Sequence, residues 1–87
     1  IGSDPPRRVV VRFSAEAAPF VRCRRWPAEV AMHDRGEHLI VEFDVSKLDE
    51  LVAWVLSFGG TATIESPEDA RALLAARARA VLATHER

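Results

Sequence analysis

Hydrophobic and polar positions alternate most cleanly over residues 38–45, where Leu39, Val41, Phe43 and Val45 interleave with His38, Ile40, Glu42 and Asp44. A period of two predicts a strand that buries the first set. Residues 8–14 repeat the pattern, with Val9, Val11 and Phe13 on one side and Val10 and Arg12 on the other. A weaker run at 29–34 points Val30 and Met32 inward. With a tight turn at Arg35-Gly36 it predicts a hairpin with 38–45. Ala62 and Ile64 mark a last short strand.

Between these runs the period changes to that of a helix. Ala17, Phe20 and Val21 form an apolar stripe with Ser14 as candidate N-cap. Pro19 predicts a helix starting near Ala18, where a first-turn proline costs no hydrogen bond. Leu48, Leu51, Val52 and Val55 form a second stripe. It is preceded by a capping-box-like Ser46-Lys47-Leu48-Asp49 and ended by Gly59 as a left-handed C-cap. Ser66-Pro67-Glu68-Asp69 predicts a third helix, with Ser66 as N-cap, Pro67 at its first position and two acids near its positive end. That helix runs to about residue 84, with Ala70, Leu73, Leu74 and Val81 on one side and Arg77 in mid-stripe.

The order β-α-β-β-α-β plus a final helix is the split βαβ pattern. The expected fold is α+β: a ferredoxin-like βαββαβ sandwich with a four-stranded antiparallel sheet and a C-terminal helix. Two helices cover one face. The other carries Val10, Arg12, His33, Ile40, Glu42, Thr61 and Thr63.

With 87 residues, 48% of them hydrophobic, and a formal charge of −1, the chain is sized and composed for one globular domain. The near-neutral balance argues against whole-surface attraction to nucleic acid or anionic lipid, although a local patch remains open. No apolar run nears the roughly 20 residues of a membrane span. The lone Cys23 fits a reducing, cytoplasmic setting. The Met-less start Ile-Gly-Ser-Asp-Pro-Pro leads us to expect a linker or cloning-derived leader over residues 1–7, one domain over 8–87, and further domains upstream.

Catalytic patterns are missing: there is no G-x-S-x-G, P-loop or dinucleotide glycine motif. We expect no enzyme and no cofactor. His33, His38 and Asp44 lack a convincing third ligand spacing, so solvated strand-end histidines are the plainer reading and no metal is expected. Cys23 lies between Arg22 and Arg24, but no His or helix N-terminus is placed to activate it, and a helix-flank cysteine is the plainer reading. An RNA-recognition module needs aromatics on the open sheet face, and here Phe13 and Phe43 fall on the covered one. A small-molecule sensor of this topology favours glycine in the first strand–helix loop, which here reads Ser-Ala-Glu-Ala. Arg22, Arg24 and Arg25, with Arg12 and Arg35 as allies, form the main basic cluster. Two readings stand for it: a solvated face paired with local acids, or contact with a nucleic-acid effector such as single-stranded DNA or RNA. Arg77 is either a snorkelling side chain or an interface residue met by a carboxylate.

Several stretches resemble one family. Val9-Val10-Val11-Arg12-Phe13 with the following Ala17-Ala18 and Val21 is similar to its V-x-L-R-F-x-x-x-A-A-x-x-V start, and Arg24-Arg25-Trp26-Pro27 to a shortened R-x-W-x-P. Trp54-Val55-Leu56-Ser57-Phe58-Gly59 is similar to W-V-L-x-F-G. Ile64 and Pro67 followed by Ala70-Arg71 match x-V-x-x-P-x-x-L-R, with Ala in place of Leu. The pattern resembles the WCX domain, the C-terminal extension of bacterial WYL-domain transcriptional regulators, and the likeness covers residues 8–84. The resemblance implies a ferredoxin-like fold, with winged helix-turn-helix and WYL domains of the same protein as partners. It also implies a role in effector response, including single-stranded nucleic acid, and in dimerisation. A pure homodimerisation module and a small-molecule sensor on the open sheet face are the alternatives.

Overall fold

The computed structural model describes residues 5–23, 26 and 28–86. Alternation builds its sheet. In β1 (Arg7–Phe13), Val9, Val11 and Phe13 are fully buried while Arg8 and Arg12 are exposed. In β3 (Leu39–Val45), Leu39, Val41, Phe43 and Val45 are buried. The two strands pair antiparallel so that Val9 faces Phe43, Val11 faces Val41 and Phe13 faces Leu39, which stacks the apolar pairs on one side of the sheet. β2 (Glu29–Asp34) adds to the free edge of β3, and β4 (Ala62–Ser66) to that of β1, giving the order β2-β3-β1-β4 with all pairs antiparallel. This is the expected α+β arrangement. β1 begins at Arg7, one residue inside the expected leader, because Arg7 already pairs with Val45 and its guanidinium bonds both oxygens of Asp69.

One strand residue departs from its expected side. The register of β2 slips between Glu29 and Ala31. The extra residue, Val30, is 49% exposed rather than inward. Met32, opposite Val41, still packs on the core.

The helices start differently from the caps expected for them. α1 (Ala18–Arg22) begins where Pro19 allows, but Ser14 serves it through its carbonyl, which accepts the N–H groups of Ala17 and Ala18 at 3.1 and 2.9 Å. The Ser14 hydroxyl is buried without a hydrogen-bond partner among the described residues. An intervening turn over residues 15–17 carries the serine three residues ahead of the true cap, Ala17, beyond side-chain reach. α2 (Leu48–Leu56) is capped from Lys47 in extended geometry, not from Ser46, and Asp49 turns away to Arg77. α3 (Glu68–His85) follows a cis Ser66–Pro67 peptide, and Pro67 itself is the N-cap residue, so neither Ser66 nor a first-position proline starts it. Ser57, in right-handed helical geometry, is the C-cap of α2 in place of the expected Gly59, which lies two residues further on and does take the left-handed conformation, at φ 64°. A 3₁₀ turn (Gly59–Thr61) then leads into β4.

Leu51, Val52 and Val55 of α2, Ala18 and Val21 of α1 and Ala70 of α3 close the core over the apolar sheet face. α3 lies against α2 and β4. Only its first half is engaged: Leu73 and Leu74 pack on the core, whereas Val81 and Leu82 are 51% and 56% exposed. Phe13 and Phe43 sit on the covered face, as expected.

Candidate functional site

The uncovered sheet face is polar and internally paired. Arg8 reaches Glu42 through Nη1 and Asp44 through Nε, both at 2.7 Å, and the far oxygen of Glu42 meets His33 Nε2 at 2.8 Å. This ladder crosses β1, β3 and β2. His33 first, then Arg8, hold the Glu42 carboxyl below its ordinary range. The candidate metal trio is thereby split: His33 is engaged by Glu42 and Asp44 by Arg8. Among the described residues no group of three or more His, Cys, Asp or Glu is placed to hold a metal ion. The Cys23 thiol donates to the Phe20 carbonyl at 3.3 Å.

The candidate arginines separate. Arg12 stands on the uncovered face, with Glu65 of β4 at 3.3 Å. It lines a concavity of about 520 Å³ with Ser14, Glu37, His38, Thr61 and Thr63. Arg22 projects from α1 and forks onto Asp34 at the end of β2, at 2.7 and 3.2 Å. The Gly36 backbone N–H and then Arg22 keep Asp34 below the usual carboxylate range. Arg24 and Arg25, with Pro27 of the tryptophan motif, lie outside the described residues. Arg12 and Arg22 thus engage separate carboxylates on separate elements. Arg77 meets Asp49 of α2 at 2.9 Å, a carboxylate of its own chain.

The other side of the molecule holds a feature that periodicity alone did not reveal. α1 is only five residues long and does not roof the sheet alone. Trp26 extends the cover, its indole N–H donating to the Val21 carbonyl and its backbone N–H to Glu29, each at 3.0 Å. Trp54 packs edge-on against Phe13 and Phe43, with centroids 5.8 and 5.6 Å apart, and also touches Trp26 and Phe58. Phe20, expected in a buried stripe, is 51% exposed and lies against Trp26 and Phe58. The aromatic content of the Trp54–Gly59 stretch was the available signal, because each ring lies three residues from a core position of α2, Trp54 from Leu51 and Phe58 from Val55.

The motif residues therefore have local tasks. Trp54 and Phe58 build the aromatic wall, and Gly59, in the left-handed conformation, starts the 3₁₀ turn that leads to β4. Arg71 donates through Nη1 to the Ile64 carbonyl at 3.0 Å, tying α3 to β4. No curated protein and no solved structure matches the chain. Among the described residues no helix is long and apolar enough to cross a membrane. The family model of the WCX domain matches residues 5–82, a span that takes in all four strands, α1, α2 and most of α3. The chain belongs to the WCX domain family, a regulatory domain of WYL-type regulators.

Proposed function

We propose that this domain is the C-terminal regulatory module of a bacterial WYL-type transcription factor, and that it contributes to effector response and dimerisation in the cytoplasm. The module takes in residues 8–87 together with Arg7, the first residue of β1, and the residues before it are its linker. Its partners are the WYL and winged helix-turn-helix domains of the same protein, a second copy, and a short single strand of DNA or RNA. The WCX family is regulatory and not known as catalytic, and the role calls for no cofactor. The family match over residues 5–82 carries this reading.

Arg12, Arg22, Arg24 and Arg25 supply the effector contacts. The support for Arg12 and Arg22 is that among the described residues each is held only by an exposed carboxylate, at 49% and 37% side-chain exposure of the arginine. Guanidinium groups suit phosphate because their donors match it two at a time. Fluorescence anisotropy with labelled short single strands tests the role. Affinity falls as salt rises, with a log–log slope of roughly −0.7 per phosphate neutralised. Arg22→Ala/Arg25→Ala weakens binding and flattens that slope, whereas unchanged binding removes the arginines from the effector site.

The second reading, a homodimerisation module without a ligand, draws support from Val81 and Leu82, which α3 leaves exposed. Arg77 then supports the interface indirectly, by fixing α3 against α2 through Asp49.

A further inference from the structure

One end of the uncovered sheet face is a polar concavity of about 520 Å³. Register brings its lining together. Arg12 of β1 lies between Ile40 of β3 and Thr63 of β4. Ser14 and His38 come one step beyond the paired Phe13 and Leu39. The Ser14 backbone N–H donates to the Thr61 carbonyl at 2.8 Å, which ties the β1–α1 loop to the turn before β4. Glu37, at the tip of the β2–β3 hairpin, and Ala15 and Gly60 complete the wall.

Five of these side chains have hydrogen-bonding capacity to spare. Among the described residues, Glu37, His38 and Thr63 make no side-chain hydrogen bond or ion pair. The Ser14 hydroxyl, buried and without a hydrogen-bond partner among them, is destabilising where it stands. Rotation about its χ1 bond offers it to a ligand. Arg12 has one carboxylate, Glu65 at 3.3 Å, for a guanidinium with several donors. Thr61 donates its hydroxyl proton to the Phe58 carbonyl at 2.7 Å, so its oxygen is left to accept.

Charge narrows the ligand. Arg12 and Glu65 offset one another, and Glu37 leaves the site negative. A phosphate dianion would add to that charge with nothing to balance it. A plain carboxylate would fill Arg12, Ser14 and Thr63 but leave Glu37 alone, and a simple amine would do the reverse. A molecule that carries both groups meets both demands. Apart from Ala15 and Gly60, the lining carries hydroxyl, imidazole and charged groups, which suits a polar side chain and not an aliphatic one.

We infer that this concavity binds a free α-amino acid with a polar, uncharged side chain. The carboxylate lies on Arg12, with Ser14 and Thr63 as further donors. The ammonium lies on Glu37 and the Thr61 hydroxyl oxygen, and the side chain meets His38. The inference stands apart from the strand contacts, since Arg22 pairs with Asp34 outside this concavity.

L-Glutamine is the probe, titrated into the isotope-labelled 87-residue chain while the backbone amide resonances are followed. Saturable shifts in the millimolar range are expected at Ala15, His38, Gly60, Thr61 and Thr63. Glutaminamide lacks the carboxylate and N-acetylglutamine lacks the ammonium. Each is expected to bind about threefold to tenfold more weakly, and L-leucine more weakly as well. Arg12→Gln and Glu37→Gln, both at exposed positions, should each weaken glutamine by a similar factor while the rest of the amide spectrum keeps its dispersion. N-acetylglutamine binding as tightly as glutamine would reduce the site to a carboxylate seat. Inorganic phosphate shifting the same amides more tightly than glutamine would make it a phosphate seat. Equal binding of leucine would remove the polar side-chain preference, and no saturable shift at these amides would remove the site. Each of these four results overturns the proposal.

Discussion

At Asp34, Glu42 and Asp69 the fold sets donors beside a carboxylate, exposed at the two aspartates and half-buried at Glu42: the Gly36 amide and Arg22, then His33 and Arg8, then Arg7. All three carboxyls are held below their ordinary values, so the folded state keeps their protons off more readily than the unfolded chain does. The unfolded state then binds more protons as the medium is acidified, and stability falls with falling pH. The contribution is whole above the ordinary carboxylate range, about pH 4, and is lost as pH drops through the depressed folded values. Urea midpoints should hold between about pH 7 and 5 as far as these groups decide them, then decline toward about pH 3. Asp34→Asn should be less stable at neutral pH and show a shallower acid decline. A mutant whose decline is as steep as the parent's would show that Asp34 is not a contributor. These pairings were only partly legible in the sequence. Alternation placed His33 and Glu42 on one face, but partner choice depends on cross-strand register, and one slip such as that at Val30 reassigns every neighbour.

Elements were more legible than their ends. β3 was readable because each of its inward residues is apolar and it lies between two partners, so nothing outside the strand contradicts the alternation. The caps were not, because Ser14, Ser46 and Ser66 each stand before a helix but do not supply a side-chain cap bond. Serine is favoured at such positions only when the backbone places it directly before the first turn, and that placement is decided by turns, Asp49–Arg77 pairing and Pro67. Backbone conformation gives a sharper test at this scale. Gly59 has a φ of 64° and open space where a Cβ would stand. Gly59→Ala should therefore cost only the left-handed penalty, about 1–2 kcal/mol. Ala28 carries the reverse problem, with a φ of 68° on a residue that has a Cβ. Ala28→Gly should recover up to about 1 kcal/mol. Gly60 has open space and no positive φ. Gly60→Ala should be neutral or stabilise by about 0.4–1 kcal/mol. Denaturant melts of the three variants check the order Gly59→Ala below parent, with the other two at or above it. Equal effects at Gly59 and Gly60 would mean that the left-handed conformation at Gly59 carries no penalty for a side chain.

For the whole molecule, the decisive asymmetry is that one end of α3 is packed and the other is bare. Its 18 residues start under Arg71 and Ala70, tied to β4 and the core. They run past Arg77 into a stretch where residues 79–86 are all exposed. The sequence showed the apolar stripe continuing through Val81, but not that the domain ends before the helix does, since periodicity reports a face and not what lies opposite it. The bare part of the helix, residues 79–85, is roughly 10 Å long at about 1.5 Å per residue. Pairing that length with a second copy buries roughly a few hundred Å² per partner, short of the roughly 800 Å² of a stable interface. The helix end alone should therefore support only weak self-association, and a tight dimer needs the uncovered sheet face or the adjoining domain as well. Light scattering of the 87-residue chain should show mass rising only at high micromolar concentration. Val81→Glu/Leu82→Glu should abolish that rise without unfolding the domain, because neither side chain contributes to its core. A tight dimer at low micromolar concentration that survives the double substitution would place the interface on the sheet, among Arg8, His33, Ile40 and Glu42, and leave the end of α3 for a different neighbour.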